Sequence, residues 1–228
     1  MATVEYGSRG ILGLLVPQAN TTSEPEVNVL LGADLALLVG RLTSAAPDMR
    51  DRLEHYLQRI DSYIDTFGDA PLDALGFLIT GSTYLLAHDD QDAFFARVAA
   101  ARGYPVVSAG QAIRRALRAM GAKRIGLVSP YPGWLTERSM DYWKRAGMNI
   151  VAVEAPSSPG GFHDIYVMRG PAVLADVDAV LAQGRGLEVF CHDAIEVLQT
   201  LMLVRACGPE TTIVDLPAAG RDEYVALS

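Results

Sequence analysis

The second half of this 228-residue chain repeats the layout of the first at an interval of about 113 residues. Gly10-Ile-Leu-Gly-Leu-Leu-Val-Pro17 is echoed by Arg124-Ile-Gly-Leu-Val-Ser-Pro130, with the two prolines 113 positions apart. Leu75-Gly-Phe-Leu-Ile79 is echoed by Leu187-Glu-Val-Phe-Cys191, 112 positions on. Two matches at nearly one offset point to two α/β halves of like design. A chain built that way places its ligand in the cleft between the halves, at the carboxyl ends of the strands.

Short apolar runs rich in Val, Ile and Leu predict strands near residues 11–16, 33–39, 74–79, 104–108, 123–129, 148–154, 187–192 and 211–215, as expected of strands buried on both faces. Helical spacing predicts helices over Met49–Phe67, Asp89–Arg102, Gln111–Met120, Leu135–Ala146, Pro171–Gln183 and Ala194–Ala206. Gly121, Gly147 and Gly208 sit just past three of them, where a helix-ending glycine belongs. The alternation is that of parallel strands with helices on both faces. The expected first domain is 1–112 plus a returning 210–228, and the second is 113–209. The stretch 155–162, with two prolines and two glycines, reads as a loop.

The chain is half hydrophobic and one-fifth charged, the composition of a globular enzyme. Its 19 basic and 27 acidic residues give a net charge of −8. No dense basic run is present, so nucleic acid is not an expected partner. No unbroken apolar segment reaches the length of a membrane span, and the start does not read as a secretion signal. Two cysteines make no disulfide framework and fit reduced thiols, so the expected location is cytoplasmic. The four histidines and two cysteines show no metal-ligand spacing. There is no dinucleotide fingerprint and no nucleophile elbow. The residue patterns therefore point to no metal site, no dinucleotide site and no serine-hydrolase site. The apolar stretch Val27–Leu42 is a candidate contact in a homodimer or higher homo-oligomer.

Cys191 is the candidate catalytic residue. A thiol at a strand end just before a helix has its pKa lowered by the helix N-terminus, which suits a group that gives and takes a proton. The bland alternative is a buried inert cysteine; Cys207, in a helix tail, reads as packing. Thr80, Gly81, Ser82 and Thr83 form a polar turn after a buried strand, able to bind a carboxylate or to cap a helix through Ser82 or Thr83. Asn20 follows the first strand in the same way and is a candidate ligand, with Thr21 and Glu24 spaced as a capping box. Tyr131, after Ser129-Pro130, either donates its phenol to a carboxylate or covers the core edge. His192 is a further candidate ligand, and Asp193 suits the next N-cap. His55 and His88 read as surface.

The strand ends carry a resemblance. Leu15-Val-Pro17-Gln-Ala-Asn20-Thr21-Thr22-Ser-Glu24-Pro-Glu26 resembles the opening of maleate cis–trans isomerases. Ala74 to Tyr84 is similar to the first catalytic turn of that group and of arylmalonate decarboxylase. Ser129-Pro-Tyr131, Phe190-Cys191-His192-Asp193 and Ile213-Val-Asp-Leu-Pro217 resemble the later turns. The resemblance is to the aspartate/glutamate racemase superfamily. It implies two pseudo-symmetric Rossmann-like (flavodoxin-like) halves with parallel sheets, a small carboxylate substrate, no cofactor and an active site in the cleft. Racemases and isomerases of that superfamily use two facing cysteines. Here the first position is Ile79, and one thiol is the pattern of arylmalonate decarboxylase. The expected activity is a cofactor-independent lyase acting on a small dicarboxylate. Cys191 would protonate an enediolate held by the Thr80–Thr83 turn, with Ile79, Leu42 and Met168 as apolar walls. The alternatives are a maleate or amino-acid isomerase and a non-catalytic protein that binds a small acid.

Overall fold

In a computed structural model the described residues are 6–32, 34–154 and 170–183. The first half contains β1 (Gly10–Pro17), α1 (Ser23–Leu30), β2 (Leu35–Leu42), α2 (Met49–Gln58), α3 (Ile60–Asp65), β3 (Ala74–Phe77), α4 (Thr80–Thr83), α5 (His88–Arg102) and β4 (Val106–Ser108). Then follow α6 (Ala109–Ala119), β5 (Arg124–Val128), α7 (Gly133–Arg145), β6 (Asn149–Glu154) and α8 (Gly170–Gln183). The strands expected at 187–192 and 211–215 and the helix at 194–206 lie outside the described residues, as does the loop at 155–162.

The first four strands form one parallel sheet in the order β2-β1-β3-β4. β1 is central and pairs with β2 from Gly10↔Leu35 to Pro17↔Leu42, and with β3 from Leu12↔Ala74 to Leu15↔Phe77. Its Leu14, Leu15 and Val16 are buried, which accounts for the unbroken apolar run. β5 and β6 form a second parallel pair, covered by α8 through Val180 against Ala152. The fold is α/β with parallel sheets, as the strand rhythm predicts.

Three differences from the sequence reading have local causes. The helix expected over 49–67 is two helices, broken at Arg59, whose φ of −107° and ψ of 17° leave the helical region. The apolar spacing runs through the break, since Tyr56, Leu57, Ile60, Tyr63 and Ile64 are all buried. The helix expected from Gln111 begins at Ala109, because Ser108 is its N-cap in a full capping box with Gln111. α1 was not among the expected helices. None of its residues is buried, so no apolar stripe marks it. Its second half falls in the stretch 27–42 expected to meet another copy, where Val29 is exposed and β2 is the outer strand of its sheet.

α6 crosses from one half to the other and packs on α4 at a glycine. A Cβ on Gly110 would lie 2.6 Å from Thr83 Oγ1 and 2.9 Å from Tyr142 OH. Thr83 and Tyr142 are fully buried and cannot step aside freely. Gly110→Ala is therefore expected to cost about 1–3 kcal/mol of stability by overpacking. Urea unfolding checks this, and an unchanged midpoint would contradict it.

Candidate active site at the junction of the two halves

The carboxyl ends of β3 and β5 converge on one hydrogen bond. After β3, Leu78 N–H donates to Leu15 O at 2.8 Å, and Ile79 stays extended at φ −145°. The chain then turns into α4. After β5, Ser129 N–H donates to Glu154 O, and the turn through Pro130 and Tyr131 leads into α7 with Pro132 as its N-cap. Thr136 Oγ1 donates to Tyr131 O at 3.0 Å and bonds Ser129 Oγ at 2.7 Å, which fixes that turn. The result is a bond of 2.8 Å between Thr80 Oγ1 and the Tyr131 phenol, one residue from each half. The Gly81 backbone also hydrogen-bonds the phenol. Burial raises the Tyr131 pKa, outweighing these two bonds, which lower it. The phenol thus keeps its proton at neutral pH and can donate it to an anion.

The other candidates fall into place around this pair. The Ser82 hydroxyl donates to Leu53 O at 2.9 Å, and the Thr83 hydroxyl to Thr80 O at 2.7 Å. Both side chains are fully buried, and their hydroxyls brace α4 from within rather than facing outward. Gly81 is held between Leu53 of α2 and Leu135 of α7, within 3.3–3.6 Å of where its Cβ would be. Asn20 Oδ1 accepts from the backbone N–H groups of Thr22 and Ser23, and its Nδ2 donates to Ser23 Oγ. It closes the turn before α1. Glu24 bonds Arg41 at 2.6 Å instead of returning to Thr21 as a capping box would need. Leu42 is fully buried in the core. Cys191, His192, Cys207 and Met168 lie outside the described residues.

A polar group absent from the sequence reading lies at the ends of β1 and β2. Ser44 Oγ meets His55 Nδ1 at 3.0 Å, and Gln18 Oε1 accepts from Ser44 N–H at 2.9 Å. Nothing in the spacing of Gln18, Ser44 and His55 marks them as neighbours. A cavity of about 400 Å³, lined in part by Phe67, Leu72, Arg102 and Tyr104, lies before β3 and β4, at the opposite end of the sheet from the pair. Among the described residues, no group of His, Cys, Asp and Glu could hold a metal ion. No helix there is long and apolar enough to cross a membrane.

A polar network joins α5, α6 and α7, with Gln91, Gln111 and Arg114 buried and Asp92 at its exposed edge. The Tyr142 hydroxyl donates to Gln91 Oε1 at 2.7 Å, tying α7 to α5. Asp92 takes hydrogen bonds from Gln111 and Arg114. Burial opposes its ionisation, but those bonds and the guanidinium charge prevail and hold its pKa low. His88 is not a surface histidine. Its ring meets Tyr142 edge to face at 4.3 Å, and Nε2 is buried without a hydrogen-bond partner. Burial lowers its pKa from 6.5. Arg114 and Arg145 act in the same direction, while Asp92 and a backbone bond to Tyr142 oppose. The unfolded chain therefore binds this proton more readily than the folded one. The contribution of His88 is complete above pH 6.5 and is lost as pH falls through the folded value. Urea midpoints are expected to fall from neutrality to about pH 5, and to fall less in His88→Gln. An equal fall in both proteins would contradict this.

Comparison with known proteins places the chain. A family model described as arylmalonate decarboxylase matches residues 12–157. A maleate isomerase of Pseudomonas putida is 28% identical over 231 residues, covering 95% of this chain and 90% of that protein. The structure of Nocardia farcinica maleate cis–trans isomerase bound to TRIS superposes with a TM-score of 0.72 at 19% identity, covering 87% of this chain and 92% of that one. A crystal structure of arylmalonate decarboxylase superposes with a TM-score of 0.64 at 15% identity, covering 79% and 75%. The chain belongs to the arylmalonate decarboxylase family, within the aspartate/glutamate racemase superfamily. It is an enzyme of that superfamily, an isomerase or a decarboxylase.

Proposed function

We propose that this enzyme is a cofactor-independent lyase that decarboxylates a small malonate-type dicarboxylate. The observation that carries the reading is the meeting of Thr80 and Tyr131 from opposite halves. The Thr80 hydroxyl and the protonated Tyr131 phenol stand at one point with the Gly81 backbone beside them, and a carboxylate oxygen that displaces their mutual bond would accept from both hydroxyls. In the chemistry we propose, one substrate carboxylate rests on these donors. The other lies toward apolar Ile79, which solvates a charge poorly. The bond from the α-carbon to that carboxylate breaks and CO2 leaves. The bonding pair becomes an enediolate whose charge falls on the held oxygens. The Cys191 thiol then gives its proton to the α-carbon, and the thiolate recovers a proton from water. A cytoplasmic setting would keep that thiol reduced.

Ile79 favours this one-thiol scheme, because no cysteine stands at the first turn. A maleate-isomerase reading is favoured by the Pseudomonas putida relative, which matches nearly the whole chain. It requires Cys191 to act without a partner thiol from the Ile79 position.

Two variants test the proposal with phenylmalonate and maleate as substrates. Cys191→Ala is expected to lose about 10²–10⁴-fold in turnover, the range for a proton-transfer group, with an unchanged unfolding midpoint. Tyr131→Phe is expected to lose about 10²–10³-fold in kcat, as when one donor to a developing oxyanion is removed. CO2 release from phenylmalonate supports the lyase, and fumarate from maleate supports the isomerase. Full turnover by Cys191→Ala would end the thiol mechanism for either substrate.

A further inference from the structure

Tyr84 ends α4, and its backbone N–H donates to Thr80 O at 3.1 Å. Its side chain, 6% exposed, leaves the first half and enters a set of rings from the second. It meets Tyr131 at 6.3 Å between centroids and 84° between planes, Tyr142 at 5.2 Å and 59°, and Trp143 at 6.2 Å and 75°. Tyr142 and Trp143 lie on α7, and Tyr131 just precedes it. One residue therefore grips both members of the hydroxyl pair, Thr80 through its backbone and Tyr131 through its ring. A single bond between two hydroxyls is too weak in water to fix how two lobes approach. Buried rings in edge-to-face contact form a larger and more directional term. Trp143 packs against Tyr142 at 4.9 Å, so the rings around Tyr84 are themselves fixed.

We propose that Tyr84 is a positioning residue. It acts through Tyr131, holding the phenol within hydrogen-bond reach of Thr80 so that a carboxylate meets a preset pair of donors. This rests on the reading of Thr80, Gly81 and Tyr131 as the carboxylate-binding set. Affinity then depends on the Tyr84 ring and not on its bulk alone, and only while Tyr131 has a hydroxyl to place.

The test is malonate binding by calorimetry in a double-mutant cycle. Tyr84→Leu and Tyr84→Phe are each made alone and with Tyr131→Phe, with urea unfolding of every variant as the control for folding. Tyr84→Leu is expected to weaken malonate about two- to tenfold, the range for one aromatic pair, and Tyr84→Phe to restore binding close to the wild type. In the Tyr131→Phe background the two Tyr84 variants are expected to bind alike. If Tyr131→Phe weakens malonate but Tyr84→Leu does not, or weakens it equally in both backgrounds, the positioning role is overturned and the carboxylate reading stands. If the wild type and Tyr131→Phe bind malonate equally, or neither binds it, the carboxylate reading falls and the positioning role with it.

Discussion

A hydroxyl pair shared between two halves of a chain can exist only if both halves present their strand ends at the same place and depth. Parallel strands meet that requirement because every carboxyl end faces the same way. β3 delivers Thr80 and β5 delivers Tyr131, each from the turn that follows its strand. Several buried groups hold the turn that carries Thr80. Leu53 and Leu135 hold Gly81, Ser82 and Thr83 fasten α4 through backbone carbonyls, and Gly110 lets the crossover helix come close.

The chemistry follows from what stands beside those donors. In the proposed reaction Ile79 stands, just after β3, where a thiol would make the site symmetric about its substrate. An isoleucine offers neither a nucleophile nor a proton. It offers a low-polarity wall, which raises the free energy of a charged carboxylate placed against it. In the reaction we propose, both halves supply hydroxyls to the carboxylate, and Cys191 alone returns the proton. On that proposal a pseudo-symmetric frame would support a one-sided reaction, in keeping with the rule that a fold fixes a location and the residues there fix the reaction.

Much of the architecture was legible because buried parallel strands must be continuously apolar. β1, β3, β5 and β6 all read that way, and Gly121 and Gly147 take the positive φ values expected just past their helices. α1 was not legible, since a helix that buries nothing carries no stripe. The polar turn at Thr80–Thr83 was legible as a group, but the division of labour within it was not. Ser82 faces inward because Leu53 O, from a different helix, is there to accept its proton. His88 looked like a surface residue for a similar reason: its burial depends on Tyr142, far away in sequence. Local spacing reports which face of an element is apolar. It does not report which distant carbonyl or ring will complete a polar group.

The most direct test of this account is a crystal structure with malonate bound. The account predicts one carboxylate oxygen within hydrogen-bond distance of both Thr80 Oγ1 and the Tyr131 phenol, the second carboxylate against Ile79, and the Cys191 sulfur facing the α-carbon. A malonate bound elsewhere, with the Thr80–Tyr131 bond intact and Cys191 remote from it, would contradict the account.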